Sequence, residues 1–308
     1  MSPQKLRATV LAAACLCLLP AGLRYAIAGE SGDGKQQAAQ TNPVPLSADT
    51  VAEIQRAIDE ERYVDAGNIL DQALVASGGD ARLLLLAGRL SLARGRYADA
   101  LISFKSIESD TKAGAGAREG EGIALSLLGR SNEAIAALQD AVAQDPAAWR
   151  AWNALGSEYD RKHDWTQAEA AYDHALADSD GAALVLNNRG FSLLLQNRGE
   201  DAIHDFVAAL EKKPDFASAR NNLRLAIAMK GEYDRAVSGA AAGDRAAVLN
   251  NAGFAAMLRG DYTQAEYLLG LAMKAKGEYY ARAAANLETT HSLEGSKVVS
   301  DGGHSVAP

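Results

Sequence analysis

Residues 149–180, WRAWNALGSEYDRKHDWTQAEAAYDHALADSD, decide the fold. With Trp149 as position 1, Trp152 stands at 4, Leu155 at 7, Gly156 at 8, Tyr159 at 11, Ala168 at 20, Tyr172 at 24 and Ala175 at 27. Large apolar residues at 4, 7, 11 and 24 fill the space between two helices. Small residues at 8, 20 and 27 sit where those helices cross, and a large side chain there would push them apart.

The pattern recurs at a period of 34 residues. Ala183 starts a copy with Gly190, Ala202, Phe206, Ala209 and Pro214. In the other direction, Ala115 starts one with Gly122, Ala134, Leu138, Ala141 and Pro146, and Ala81 one with Gly88, Ala100 and Phe104. A weaker copy starts at Ser47, with Ala66, Leu70 and Ala73. Ala217 starts a sixth with Leu223 and Ala236, and Ala246 a seventh with Gly253, Ala265 and Ala272. The last step is 29 residues, so the sixth copy has lost about one turn and its loop. A helix over residues 280–293 caps the array. The turn at positions 15 to 17 repeats too, as Gly95-Arg96-Tyr97, Gly129-Arg130-Ser131, Gly231-Glu232-Tyr233 and Gly260-Asp261-Tyr262. Glycine at 15 ends the first helix in a left-handed conformation. His163 and Asn197 take that place in two other copies.

These residues resemble the tetratricopeptide-repeat (TPR) family. The resemblance implies an all-α, right-handed superhelical solenoid of about seven helix-turn-helix repeats over 47–293. It further implies a concave groove lined by first helices, at positions 2, 5, 6, 9, 12 and 13. On that basis Asn187-Asn188, Asn221-Asn222 and Asn250-Asn251 fall at positions 5 and 6 of three successive copies, and Asn153 at position 5 of the preceding one. An amide offers both a donor and an acceptor. Such a ladder could pair with the main chain of an extended peptide, as the asparagine ladder in the TPR groove of O-GlcNAc transferase suggests. The alternative is that these amides bond to neighbouring helices. Phe191, Leu225 and Phe254 at position 9, and Leu194, Ala228 and Met257 at position 12, would add apolar anchors. Arg82, Arg89 and Arg118 hold candidate groove positions in the earlier copies, as scattered solvated charges or as contacts for an acidic segment.

A narrower resemblance is carried by LNNRGFSL (186–193), RNNLRLAIAMKGEYDRA (220–236) and NNAGFAAMLRGDYTQAE (250–266), together with the short sixth repeat. These are similar to TadD, the TPR protein of Tad (tight adherence) systems. That resemblance implies a role in building a Flp pilus with secretin or pilus components as partners. A general periplasmic adaptor for envelope or polysaccharide machinery is the alternative.

The ends of the chain read differently. Lys5 and Arg7 precede an apolar run from Ala8 to Leu19, and Ala26-Ile27-Ala28 is a small-x-small cleavage site. Residues 1–28 therefore read as an export signal. Both cysteines, Cys15 and Cys17, lie inside it. Cleavage after Ala28, lipidation of Cys15 and an uncleaved anchor all place the body outside the cytoplasm, in the periplasm or attached to the outer membrane. Membrane association is expected only under the last two. Residues 29–46 read as a flexible linker and 294–308 as a disordered tail.

Net charge is −8 and no basic stripe carries interleaved aromatics, so nucleic acid is not an expected partner. The five histidines show no metal-ligand spacing, and no GxSxG, GxxxxGK[ST] or HExxH motif occurs. The reading is a non-enzymatic protein-binding scaffold without cofactor or metal.

Overall fold

The computed structural model describes residues 47–77, 79–107, 109–110, 113–177, 182–277 and 280–302. The expected signal, the linker, Cys15 and the last residues of the tail lie outside them. Among the described residues the chain is helical throughout, with no strand. It falls into two compact units, which divide between Asp180 and Gly181.

The first unit holds four helical hairpins: α1 (Ala48–Asp59) with α2 (Tyr63–Ser77), α3 (Ala81–Ala93) with α4 (Tyr97–Lys105), α5 (Gly114–Leu127) with α6 (Ser131–Gln144), and α7 (Trp149–Arg161) with α8 (Trp165–Ala177). The second holds α9 (Ala182–Leu195) with α10 (Gly199–Lys212), α11 (Ala217–Met229) with α12 (Tyr233–Val237), α13 (Arg245–Arg259) with α14 (Tyr262–Lys276), and a final helix α15 (Ala281–Gly302). Within each unit the first helix of a hairpin touches the next first helix: α1 meets α3, α3 meets α5 and α5 meets α7, while α9 meets α11, α11 meets α13 and α13 meets α15.

Five of the seven hairpins close on a glycine and a large side chain. A Cβ on Gly88 would lie 2.4 Å from the Phe104 ring, and one on Gly156 2.6 Å from Tyr172. Gly122 against Leu138, Gly190 against Phe206 and Gly253 against Leu269 repeat the contact at 2.4, 2.8 and 2.7 Å. Position 8 is therefore glycine because position 24 fills its space. Position 20 is alanine in every hairpin, buried from Ala66 to Ala265.

Gly95, Gly129, Gly231 and Gly260 all take positive φ, and so do His163 (57°) and Asn197 (63°). Glu61, at position 15 of the first copy, does the same at 60°, without the glycine or asparagine that would have announced it. Position 14 supplies a clamp between hairpins. Lys162 Nζ donates to Asn132 Oδ1 at 2.7 Å, Lys230 pairs with Glu200 at 2.6 Å, and Arg259 Nη1 donates to the Met229 carbonyl at 2.8 Å. Arg94 likewise donates to the Tyr63 carbonyl.

Two expectations need correction. The sixth hairpin has lost more than one turn, because α12 has 5 residues against 13 in α8 and 14 in α10. Arg224 stands at its position 8, where glycine is usual. Its Nη1 donates to the carbonyls of Ala236 (2.7 Å) and Ser238 (2.9 Å), ending α12. With so little second helix opposite, a long side chain fits where five of the other hairpins hold glycine. The final helix also runs on to Gly302 instead of stopping at Leu293. No proline follows Leu293 inside it, and Gly295 costs a helix only about 1 kcal/mol.

Not every helical glycine is a packing glycine. A Cβ on Gly270, inside α14, meets nothing within 4 Å. Gly270→Ala is expected to stabilise the chain by about 0.5–1 kcal/mol, read as a raised urea midpoint. A lowered midpoint would contradict the open space seen there.

Candidate protein-interaction surface

The asparagine pairs divide between interior and surface. Asn187, Asn222 and Asn250 are buried, at 7%, 6% and 2% exposure. Asn222 Nδ2 donates to Asn187 Oδ1 at 2.9 Å, joining α11 to α9, and Asn187 Nδ2 donates to Asn188 Oδ1 at 3.2 Å. The arrangement recurs two hairpins on. Asn286 Nδ2 donates to Asn250 Oδ1 at 3.0 Å, and Asn250 Nδ2 to Asn251 Oδ1 at 3.3 Å. The groove reading of Asn187, Asn222 and Asn250 is thus corrected: these amides stitch first helices together, because a buried amide must find partners. The ladder is also not uniform in register. The buried member is at position 5 in α9 and α13 but at position 6 in α11.

The other members of the pairs remain accessible. Asn221 is exposed, while Asn188 and Asn251 are half-buried. Phe191 and Phe254 are half-buried and pack against the core of the second unit. Leu225, Leu194, Ala228 and Met257 are buried in that core, so they are not groove anchors. Asn153, in the first unit, is buried on α7.

The contrast between neighbours is measurable. Asn222→Ala strands the buried Asn187 carbonyl and should cost about 1–3 kcal/mol in urea unfolding. Asn221→Ala should stay within about 0.5 kcal/mol of the parent. Equal losses at the two positions would contradict the assignment of inner and outer amides.

Three features were missed from sequence. Asn286 was one; its spacing of 36 residues from Asn250, close to the repeat length, was the available signal. A second is a fully buried carboxylate, Glu158 on α7. It accepts from Ser131 Oγ at 2.5 Å, from Arg161 at 2.9 Å and from Ser126 Oγ, tying the α5–α6 hairpin to α7. The third is Arg189, at position 7, which binds the buried Asp205 with both arms, Nε to Oδ2 at 2.8 Å and Nη2 to Oδ1 at 2.9 Å.

The arginine expectation separates too. Arg82 pairs with Asp80 at 2.7 Å and Arg118 with Glu121 at 2.8 Å. Arg89 instead lines a cleft of about 220 Å³ with Ala115, Gly116, Glu119, Asp145 and the segment 147–150. Burial pushes the Glu119 carboxyl above its ordinary range, against the pull of Arg89 and Arg150. Among the described residues no group of three or more His, Cys, Asp and Glu is placed to hold a metal ion, and no helix is long and apolar enough to cross a membrane.

Stacked helical hairpins, most of them closed by a glycine against a large side chain and joined through their first helices, define a repeat scaffold for protein–protein interaction. The tetratricopeptide-repeat profile matches residues 51–117, 120–183, 154–206 and 188–247, and the chain belongs to that family. Its fold is similar to that of a thermophilic TPR protein of Thermus thermophilus, at 22% identity and TM-score 0.53 over 58% of this chain and 97% of that one. It is also similar to the APC/C hetero-tetramer Cut9-Hcn1, at 16% identity and TM-score 0.62, over 80% of this chain and 49% of the other. PilW, a type IV pilus biogenesis factor, matches at 16% identity and TM-score 0.52, over 77% of this chain and 96% of its own. In sequence, 152 residues are 29% identical to the probable peptide N-acetylglucosaminyltransferase SPINDLY of Hordeum vulgare. They span 47% of this chain but 16% of that enzyme.

Proposed function

We propose that this chain is an exported, non-enzymatic scaffold that grips a partner polypeptide along its first helices and serves in assembling a Tad/Flp pilus. The observation that carries the scaffold role is the divided asparagine pair. On α9, α11 and α13 one amide of each pair holds the array together and its neighbour stays accessible. Amides at a regular spacing suit the main chain of an extended peptide, with the half-buried rings of Phe191 and Phe254 nearby in sequence as apolar contacts. The pilus assignment is supported by the TadD-like segments at 186–193, 220–236 and 250–266. That a type IV pilus biogenesis factor shares the fold agrees with it.

The test pairs a phenotype with a capture. Deleting the gene should abolish surface pili, and wild-type chain should restore them. The combined variant Asn188→Ala, Asn221→Ala, Asn251→Ala should fold but restore few. Crosslinking of the full chain in the native envelope should capture secretin or pilus components. Unchanged piliation on deletion would sink the pilus role. Capture of polysaccharide-export machinery instead would favour the general adaptor.

A further inference from the structure

The first helices of the second unit share an accessible stripe that carries no charge. On α9 it runs through Leu184, which is 42% exposed, and the half-buried Asn188, Phe191 and Leu195. α13 repeats the spacing with Ala247, Asn251 and Phe254. Between them α11 offers Ser218, Asn221 and Met229. These three helices contain no Asp or Glu. Their arginines sit more than about 100° around each helix from the stripe. Four of them are bound there: Arg189 by Asp205 at 2.8 Å, Arg220 by the Pro214 carbonyl at 3.0 Å, Arg224 by the Ala236 carbonyl at 2.7 Å and Arg259 by the Met229 carbonyl at 2.8 Å.

The same positions in the first unit are charged. α3 holds Arg82 and Arg89 there, α5 holds Glu119, and α7 holds Arg150 and Arg161. The uncharged face is therefore a property of the second unit and not of the repeat. Two rings stand in matching register on it, Phe191 on α9 and Phe254 on α13. One turn before each ring is an amide held by its buried neighbour, Asn188 by Asn187 at 3.2 Å and Asn251 by Asn250 at 3.3 Å. Packed helices lie about 9 Å apart, so α9 and α13 are about 18 Å apart across α11. An extended chain covers that distance in about six residues.

Resting on the scaffold reading above, we propose that this face takes an extended, uncharged segment of the partner with two aliphatic side chains about six residues apart. The segment crosses α9, α11 and α13 in turn. Its main chain bonds to Asn188, Asn221 and Asn251, and its two aliphatic side chains lie on Phe191 and Phe254. Side chains an even number of residues apart share one face of an extended chain, so both can meet a ring at once. An acidic or basic side chain would give up its water and meet no counter-charge on the stripe, which selects against both signs.

The test is fluorescence anisotropy on the full chain with labelled Ser/Thr peptides carrying two Leu, two Asp or two Lys at that spacing. The Leu peptide is expected to bind, and the Asp and Lys peptides at least about tenfold more weakly. Added salt should leave the Leu peptide within about twofold of its affinity. Leu184→Glu and Ala247→Glu put a charge on the stripe in the first turn of a helix, where an acidic residue suits the fold. Each should weaken the Leu peptide about tenfold with unchanged circular dichroism. Val207→Glu, at an exposed site on the second helix α10, should not weaken it. Equal affinity for the three peptides, or indifference to both stripe variants, would overturn the assignment. So would a wild-type dimer that Ala247→Glu turns into a monomer, since a second copy would then own the face. If Leu184→Glu and Ala247→Glu leave capture of the envelope partner intact while Asn221→Ala lowers it, the uncharged segment fails and the scaffold stands. Capture of no partner by the wild-type chain would reject the scaffold itself.

Discussion

Gly88→Ala is expected to destabilise the first unit by about 3 kcal/mol, the upper end of what overpacking a core costs. The added methyl would lie 2.4 Å from Cε1 and 2.6 Å from Cζ of Phe104. The ring cannot withdraw, because it is fully buried and Gly120 on α5 already approaches it from the next hairpin, at 2.4 Å for an imagined Cβ. One methyl on α3 therefore pushes α4 from α3 and α5 from both. The measurement is the urea midpoint. The double variant Gly88→Ala, Phe104→Leu should recover part of the loss, since leucine serves the same position in Leu138. A single variant as stable as the parent, or a double variant no better than the single, would refute the ring-and-glycine account.

Asp205→Ala should cost about 3–5 kcal/mol, because it removes the buried carboxylate that both arms of the Arg189 guanidinium bind. Asp205 is 2% exposed and Arg189 26% exposed by side chain, so water reaches the cation only in part. Breaking a buried pair is costlier than replacing it whole. Arg189→Leu with Asp205→Leu should therefore return close to the parent midpoint, because Leu155 fills the same position 7 in the fourth hairpin. A double variant as weak as Asp205→Ala would show that the pair contributes more than apolar contact can replace.

The sequence made the repeat legible through residues that answer to one local constraint. A glycine under a ring, an alanine between two helices and a left-handed turn each demand one residue type, so the demand is visible as a letter. The left-handed turn at Glu61 escaped because its position, not its residue type, carries the signal. The asparagines were legible as a register but not as a destination. Positions 5 and 6 lie one residue apart, about 100° around a helix, so a slight rotation decides which amide faces inward. That rotation depends on contacts with the neighbouring helices, and it places Asn222 inside where Asn188 and Asn251 are half-buried. The Arg189–Asp205 pair was hidden because a charge at an apolar position reads as a departure until its partner is placed 16 residues away. The cleft was hidden because its walls come from residues spread between Arg89 and Arg150.

The five-residue α12 has a dynamic consequence. In a stacked array the cooperativity of unfolding passes from each unit to its neighbours through the apolar area they share. The sixth hairpin offers little such area on its second helix, whose end is held by two hydrogen bonds from Arg224 and by the packing of Ala236 and Val237. The segment from Ser238 to Asp244 should therefore be the first interior stretch to exchange its amide protons for deuterium. Opening there would uncouple the last hairpin and α15 from α9 and α10 while each remains folded, giving the chain a built-in breathing point.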